Sequence, residues 1–212
     1  MVRHLRSICG SMLILCCAIV SGSCVTDEPS GDSVASSATE QKASVQVAST
    51  VLRDVTGAAV ATVLFTSTGN GTLVTVAARS TAGIHGFHVH ANDNPANGDG
   101  CIADATQPPN TFFVSADGHF NPGAATHGNH AGDMPPLFVS TGGNAASSFF
   151  TDRFTPADVK GRAVILHAGN DNLGNVPVGT AANQYTANAA DATTLTANTG
   201  NAGNRIACGV VQ

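Results

Sequence analysis

Hydrophobic and polar residues alternate along the chain between residues 43 and 80. In ASVQVASTVLRDV (43–55), valines alternate with serine, glutamine and threonine, and GAAVATVLFTST (57–68) and GTLVTVAARS (71–80) continue the pattern. A period of two residues predicts strands with one buried face. The GNG between the last two segments predicts that they form a hairpin.

Five further segments have the composition of strands. They are GIHGFHVHA (83–91), PLFVST (136–141), ASSFFTDRF (146–154), GRAVILHA (161–168) and RIACGVV (205–211). Two long irregular stretches, about 91–135 and 169–204, lie between them. Eight strands predict an all-β antiparallel barrel or sandwich, and loops of this length are normally functional or disordered.

Composition narrows the class of protein. The 212 residues include 9 Lys and Arg against 14 Asp and Glu, a formal net charge of −5, and only 11% are charged. No run of basic residues occurs beyond the N-terminus. We therefore predict no nucleic-acid partner, and the length suits one domain plus a targeting sequence.

The N-terminus has the pattern of an export signal. MVRHLRS carries two arginines, ICGSMLILCCAIV is apolar but too short to span a bilayer, and SGSC ends at Cys24. We predict a signal peptide over 1–23. It resembles a bacterial lipoprotein signal, which implies a lipidated Cys24, with simple secretion as the alternative. The Ser-rich residues 24–42 predict a flexible polar tether, and 43–212 form the folded domain.

Cysteine usage points to one disulfide. Removal of the signal peptide would leave Cys101 and Cys208 in the folded domain, with Cys24 as the candidate anchor. Two cysteines in an exported domain most simply pair; two unpaired buried thiols are the alternative. The disulfide would close a loop of about 107 residues (208 minus 101), worth roughly 4–5 kcal/mol in the chain-entropy model.

The segment HFNPGAATHGNHAGD (119–133) concentrates potential metal ligands. It contains His119, His127, His130 and Asp133 in a stretch too rich in Gly, Pro and Asn for a regular helix. Three imidazoles and a carboxylate are a ligand set for a tetrahedral ion such as zinc. The last three are spaced i, i+3 and i+6, so the loop must curl for them to converge. The alternative is a polar loop that binds nothing.

Three more histidines lie on predicted strands. His88 and His90 are two residues apart and emerge on the same face, a chelate suited to copper, zinc or iron. An isolated pair of this kind more often binds nothing, and His167, after AVIL, could be a core histidine. Taken together, six histidines and Asp133 divide into a nitrogen-rich site suited to copper and a mixed site suited to zinc.

Several short motifs resemble one known family. GFHVH, GHFNP, THG, HAGD, ILHAGNDNLG and TGNAGNRIACGVV occur in the order found in copper–zinc superoxide dismutases, and the chain from about residue 45 onward is similar to the exported bacterial type. The resemblance implies an eight-stranded Greek-key β-barrel, copper and zinc as cofactors, and superoxide as the substrate. It also implies a location in the periplasm or cell envelope.

The resemblance also implies a role for individual residues. The copper ligands would be His88, His90, His119 and His167. The zinc ligands would be His119, His127, His130 and Asp133, with His119 bridging the two metals. His119 and Arg205 would be catalytic, Asp171 would link a copper histidine to a zinc histidine, His85 would be structural, and Cys101 and Cys208 would form the family disulfide.

The implied mechanism is a two-step redox cycle in which copper changes oxidation state and the His119 bridge takes up a proton. The alternative is an exported copper- or zinc-binding protein without significant enzymatic activity. A structural β-barrel with incidental histidines is a third reading. The sequence leaves both a homodimer and a monomer open.

Overall fold

The computed structural model describes residues 45–98, 100–173 and 192–212, with side chains in the last range from residue 196 onward. The signal peptide over 1–23, Cys24 and the tether over 24–42 lie outside the described residues. None of the helices in the described ranges has the length and apolar character needed to cross a membrane.

Strands are the main regular secondary structure of the described domain, as the alternation predicts. Two short α-helices accompany them, α1 (Pro156–Val159) and α2 (Ala192–Thr199). The strands are β1 (Val47–Asp54), β2 (Ala59–Thr68), β3 (Gly71–Arg79), β4 (Gly83–His85), β5 (Phe87–His90), β6 (Leu137–Val139), β7 (Asn144–Thr151), β8 (Ala163–His167) and β9 (Arg205–Val210).

The strands form a curled antiparallel sheet with Greek-key connections. Seven strands pair in the order β5-β8-β9-β1-β2-β3-β7, and β4 pairs with β6. The chain leaves β3 for the opposite end of this order, returns as β7 beside β3, and crosses again to β8. This arrangement confirms the predicted all-β Greek-key class.

The fourth predicted strand, residues 83–91, is divided into β4 and β5 at Gly86. Gly86 donates its N–H to Gly169 O at 2.8 Å and accepts from His167 N at 2.9 Å, so it pairs with the start of the second long loop. A Cβ at Gly86 would lie 2.6 Å from Ala202 Cβ. The close approach of another segment therefore separates the part that pairs with β6 from the part that pairs with β8.

The barrel interior is apolar and closely packed. Inward residues of β1, β2 and β3, such as Leu52, Phe65 and Val74, are fully buried. The Phe65 ring contacts Phe154 edge to face at a centroid distance of 6.0 Å. Each such side chain contributes about 1.5–3 kcal/mol by leaving water, which gives the strands a rigid interior on which the loops are mounted.

The second long loop contains a helix that the sequence did not predict. The residues of α2, ATTLTANT, carry several β-branched threonines and only a weak helical pattern. Contacts with a distant segment support the helix instead: Ala197 O accepts a hydrogen bond from His127 N at 2.8 Å, and Thr196 is buried.

A disulfide joins the first long loop to β9. Cys101 and Cys208 are bonded, with their Cα atoms 5.5 Å apart. Cys208 is buried together with Phe113, Ala163 and Ile165, so the disulfide lies in a second, smaller apolar cluster. The covalent link therefore fixes the loop between β5 and β6 against the barrel.

We expect a Cys101→Ser/Cys208→Ser variant to lose about 2–5 kcal/mol of unfolding free energy, because the unfolded chain regains the entropy of the open loop. Urea unfolding of metal-depleted protein measures the loss. Wild type treated with a reductant separates the missing bond from the introduced hydroxyls, and should lose a similar amount. Unchanged midpoints in both samples would contradict a stabilising disulfide.

Candidate metal centre

Four histidine rings meet where β5, β8 and the first long loop come together. His88 and His90 lie on β5, and His167 is the last residue of β8. The His119 ring centroid lies 4.1 Å from that of His88 and 4.8 Å from that of His90. One nitrogen of each of the four rings lies within 4.8 Å of the others, and all four residues are buried.

The first long loop reaches this position by pairing with β5. His119 lies opposite His90 and Asp133 lies opposite His88 as isolated antiparallel bridges. Gly132 approaches β5 so closely that a Cβ would lie 2.3 Å from a backbone oxygen of that strand. Only glycine allows this approach, so Gly132 is a site determinant that the ligand pattern alone did not reveal.

Each of the four rings has one anchored nitrogen. The anchoring distances are 2.7 Å from His88 Nε2 to Asp171 Oδ2, 2.8 Å from His90 Nδ1 to Asp117 O, 2.9 Å from His119 Nδ1 to Asp133 Oδ1, and 3.1 Å from His167 Nδ1 to Gly203 O. Carbonyl oxygens only accept, so His90 and His167 must carry their hydrogens on Nδ1. The other ring nitrogen of each then holds a lone pair.

The second nitrogens of these rings converge without partners. Within the described residues, no hydrogen-bond partner is found for Nδ1 of His88 or for Nε2 of His90, His119 and His167, all of them buried. Buried polar atoms are nearly always satisfied. Four unsatisfied lone-pair positions within reach of one point therefore fit a metal ion that prefers nitrogen ligands.

A second cluster centres on one carboxylate oxygen. Asp133 Oδ1 lies 2.9 Å from His119 Nδ1 and 3.3 Å from Nδ1 of both His127 and His130. The loop thus curls enough to bring residues spaced i, i+3 and i+6 together. A second set of ligand atoms within 4.8 Å of one another contains His88 with His119, His127 and Asp133, rather than His130.

His130 nevertheless lies at this cluster. Its Nδ1 is 3.1 Å from His119 Nδ1, in addition to its contact with Asp133. His88, by contrast, already has its Nε2 against Asp171 and directs its other nitrogen to the first cluster. The geometry therefore favours His130 over His88 in the mixed nitrogen and oxygen set.

Asp171 lies between the two clusters. Its Oδ2 is 2.7 Å from His88 Nε2 and its Oδ1 is 2.8 Å from His127 Nε2. A Cβ at Gly200 would overlap Asp171 and His127, so the chain after α2 packs directly over this contact. The carboxylate thereby orients one ring of each cluster, the arrangement that the resemblance implied.

Arg205 is held beside the first cluster by backbone carbonyls. Its guanidinium donates to Phe113 O and Asp117 O, and Asp117 O also anchors His90. Asp117 was not predicted as a site residue, because its contribution is a carbonyl, which no side-chain pattern reveals. Among the described residues, it is one of five non-glycine residues with a positive φ, at 64°.

His85 lies apart from both clusters. Its Nδ1 is 2.8 Å from His167 O and its Nε2 is 2.9 Å from Thr81 O, and it is buried. Both ring nitrogens are therefore engaged with the backbone, which fits a structural residue.

The sequence of the domain matches one family model. The model described as copper/zinc superoxide dismutase (SODC) matches residues 59–211. The chain belongs to the copper/zinc superoxide dismutase family. This confirms the family that the short motifs indicated, and the family uses the two metals that its name states.

Individual copper/zinc superoxide dismutases are also similar to this chain in sequence. Superoxide dismutase [Cu-Zn] of Photobacterium leiognathi is 32% identical over 139 residues, which cover 62% of this chain and 66% of that protein. The protein of the same name from Mycolicibacterium paratuberculosis is 35% identical over 158 residues, covering 71% and 63%. The chain thus spans slightly less than two thirds of the length of each.

A solved structure shows the same fold. The Cu/Zn superoxide dismutase from Brucella abortus superposes with a TM-score of 0.57 at 24% sequence identity, covering 79% of this chain and 100% of that one. This likeness supports the barrel fold.

Burial and nearby carboxylates have opposite effects on the pKa values of the histidines in these two clusters. Burial lowers the pKa of His90 and His167 well below the ordinary value. Burial also lowers the pKa of His119, to about 4, despite its contact with Asp133. Burial would likewise lower the pKa of His127, but its contacts with two carboxylates outweigh this and raise the pKa to about 9.

For the two carboxylates, burial and the nearby histidines also have opposite effects on the pKa. Burial would raise the pKa of Asp133, but the contacts with His119 and His127 hold it well below its usual range. The contacts with His127 and His88 likewise lower the pKa of Asp171, against the effect of burial. Metal-depleted protein therefore keeps both carboxylates ionised and places a proton on His127, which lies between them.

We expect the unfolding free energy of metal-depleted protein to fall as the pH rises from about 7.5, where the histidines of the unfolded chain are mostly neutral, through about 9. The folded state binds the His127 proton more tightly than the unfolded chain, so this stabilisation is complete below the unfolded pKa and is lost as folded His127 deprotonates. The other cluster histidines with lowered pKa values are neutral in both states across the upper part of this range.

Urea unfolding at a series of pH values measures this effect, with His127→Gln as the matched variant. The variant should lack the decline on the alkaline side. Stability of the wild type that stays constant or increases over this range would show that His127 is neutral in the folded, metal-depleted state.

Proposed function

We propose that this protein dismutates superoxide, converting two superoxide anions and two protons into oxygen and hydrogen peroxide. The observation that carries the proposal is the set of four unpartnered, buried ring nitrogens that converge between β5, β8 and the first long loop. Membership of the family supports it, because the curated relatives are named as superoxide dismutases.

The first cluster is the proposed copper site. Its ligands would be Nδ1 of His88 and Nε2 of His90, His119 and His167, four buried atoms for which the described residues offer no hydrogen-bond partner. The anchored nitrogens of His88, His90 and His167 fix the ring orientations, and such outer contacts raise the affinity of a site. Imidazole ligands of this number suit copper.

The second cluster is the proposed zinc site. Its ligands would be Nδ1 of His119, His127 and His130 with Oδ1 of Asp133, which already lie within 3.3 Å of that oxygen. Three nitrogens and one carboxylate oxygen are a zinc ligand set. His119 would belong to both sites, with Nδ1 directed to one and Nε2 to the other, and this position supports a histidine bridge between the metals.

Copper, when bound, supplies one-electron chemistry by alternating between two oxidation states. The protein supplies the rest. Arg205 places a positive charge beside the cluster, which attracts the superoxide anion. His119 Nε2 can hold a proton for the formation of hydrogen peroxide when that atom is not a ligand. Asp171 keeps rings of both sites in register through its contacts with His88 and His127.

The second candidate function is a copper- or zinc-binding protein without significant enzymatic activity. The paired state of Cys101 and Cys208 argues against copper transfer through these thiols, since a disulfide offers no free thiolate. The position of Arg205 also favours an enzyme, because a cation beside the proposed copper ligands would attract an anionic substrate. Metal storage does not require such a cation.

The test is the dismutation rate of the full chain loaded with copper and zinc. We expect a second-order rate near the diffusional ceiling of about 10⁸–10⁹ M⁻¹s⁻¹, lost when copper is withheld. Arg205→Met should keep its copper but react about tenfold or more slowly, since focused positive potential accelerates anion capture by at least that factor.

Arg53→Met is the matched control. Arg53 also donates to a backbone carbonyl, Gly57 O at 2.9 Å, but it lies on β1 and contacts neither cluster. It should react as the wild type does. A negligible rate with copper demonstrably bound would replace the enzyme by the metal-binding protein, and an unchanged rate in Arg205→Met would remove Arg205 from the mechanism.

We further propose that the protein is exported and attached to a membrane through lipidated Cys24. The disulfide supports export, because disulfides persist in oxidising compartments. In a bacterial host, the full-length protein should partition into detergent and carry the mass of a lipid, whereas Cys24→Ala should be released in soluble form or remain uncleaved. A wild type that is cleaved without added lipid would indicate simple secretion.

A further inference from the structure

Arg153 contacts the loop that carries the proposed zinc ligands. It lies two residues after the end of β7, and its Nη1 donates hydrogen bonds to Gly128 O at 3.0 Å and His130 O at 3.1 Å. Both acceptors lie between His127 and Asp133. A side chain from the barrel wall therefore holds the outer side of this loop.

The same two loop residues are held from the inner side as well. Asp133 Oδ2 accepts from Gly128 N at 2.7 Å and from His130 N at 3.0 Å. Asp133 thus binds the N–H groups of Gly128 and His130, and Arg153 binds their carbonyl groups. Rotation of the backbone at either residue would break a hydrogen bond on each side.

The backbone next to Arg153 is firmly placed. Phe154 is buried, packs against Phe65, and accepts a hydrogen bond through its carbonyl from Thr72 Oγ1 at 2.7 Å. Arg153 itself is exposed, but its attachment point is part of the core. A fixed attachment point reduces the entropy lost when a long side chain is ordered, and hydrogen bonds from a charged donor are stronger than neutral ones.

The short spacing of His127 and His130 requires a tight turn, which the hydrogen bonds of Arg153 stabilise. Only two residues separate His127 from His130, and Gly128 adopts a φ of 91°, in the left-handed region. On the other flank, His127 N donates to Ala197 O of α2. Without Arg153, the two carbonyl groups after His127 would have to find water, and the turn could relax away from the geometry that brings three imidazoles to Asp133 Oδ1.

We propose that Arg153 is a positioning residue for the zinc site, one that raises zinc affinity by fixing the turn from Gly128 to His130. The inference rests on the zinc site proposed above. The sign of the effect separates positioning from charge: a cation near a divalent ion repels it, so a purely electrostatic role of Arg153 would lower zinc affinity.

The experiment compares Arg153→Met, Arg153→Lys and wild type, with Arg53→Met as the control for loss of an exposed arginine that donates to a turn carbonyl. Zinc affinity is measured by competition with a chromogenic chelator. The visible spectrum of cobalt(II) bound in place of zinc reports the ligand geometry. Copper content and the copper(II) EPR spectrum report the neighbouring site.

We expect Arg153→Met to bind zinc about tenfold more weakly, at the lower end of the 10–100-fold range for outer contacts of metal ligands, with an altered cobalt spectrum and an unchanged copper spectrum. Arg153→Lys should recover part of the affinity, since its ammonium can reach one carbonyl. If Arg153→Met does not fold, Arg153→Lys is the deciding variant. A zinc affinity that is lower than that of wild type, by less than about tenfold, then supports the proposal.

Equal zinc affinity and equal cobalt spectra in all folded variants would overturn the proposal, as would tighter zinc binding by Arg153→Met. Wild type that binds no zinc would instead refute the zinc site on which the inference rests. The two failures are distinguishable because the wild-type titration is read independently of the variants.

Discussion

The pairing of the first long loop with β5 is the constraint on which both proposed metal sites depend. Val89 donates its N–H to Gly132 O and accepts from Phe120 N, each at 2.8 Å. Because the Val89 side chain enters the core, His88 and His90 must point away from it, toward the cluster. The paired loop then presents its own ligands from the opposite side, and glycine at position 132 makes the approach sterically feasible.

This arrangement concentrates charge in a buried environment, where an unpaired charge is costly. Two buried carboxylates, Asp133 and Asp171, flank His127, while burial keeps rings such as His90 neutral. In metal-depleted protein the proton on His127, whose pKa is raised to about 9, offsets one of these two negative charges. A divalent ion at the proposed zinc site would compete with that proton for His127 Nδ1 and Asp133, so metal affinity is coupled to pH.

Local sequence patterns predicted much of the fold and of the candidate site. The remaining features depend on contacts between distant segments. A period of two residues placed His88 and His90 on one face, because strand geometry is fixed by neighbouring residues. The break at Gly86 was not predictable, since it depends on a loop more than eighty residues away. The carbonyl of Asp117 and the hydrogen bonds of Arg153 likewise leave no periodic or compositional signal. The remaining outer residues were identified only through the family resemblance.

The disulfide acts on the proposed site through the backbone that holds Arg205. The two carbonyls that accept from its guanidinium belong to Phe113 and Asp117, whose φ values of 56° and 64° are unfavourable for residues with side chains. Such conformations cost about 1–3 kcal/mol each and persist only when their surroundings enforce them. Here Phe113 packs in the cluster that contains Cys208, and the Asp117 carboxylate accepts from two backbone N–H groups and from Asn97. The covalent link therefore helps maintain a strained turn whose carbonyls orient Arg205, the cation that we propose attracts the substrate.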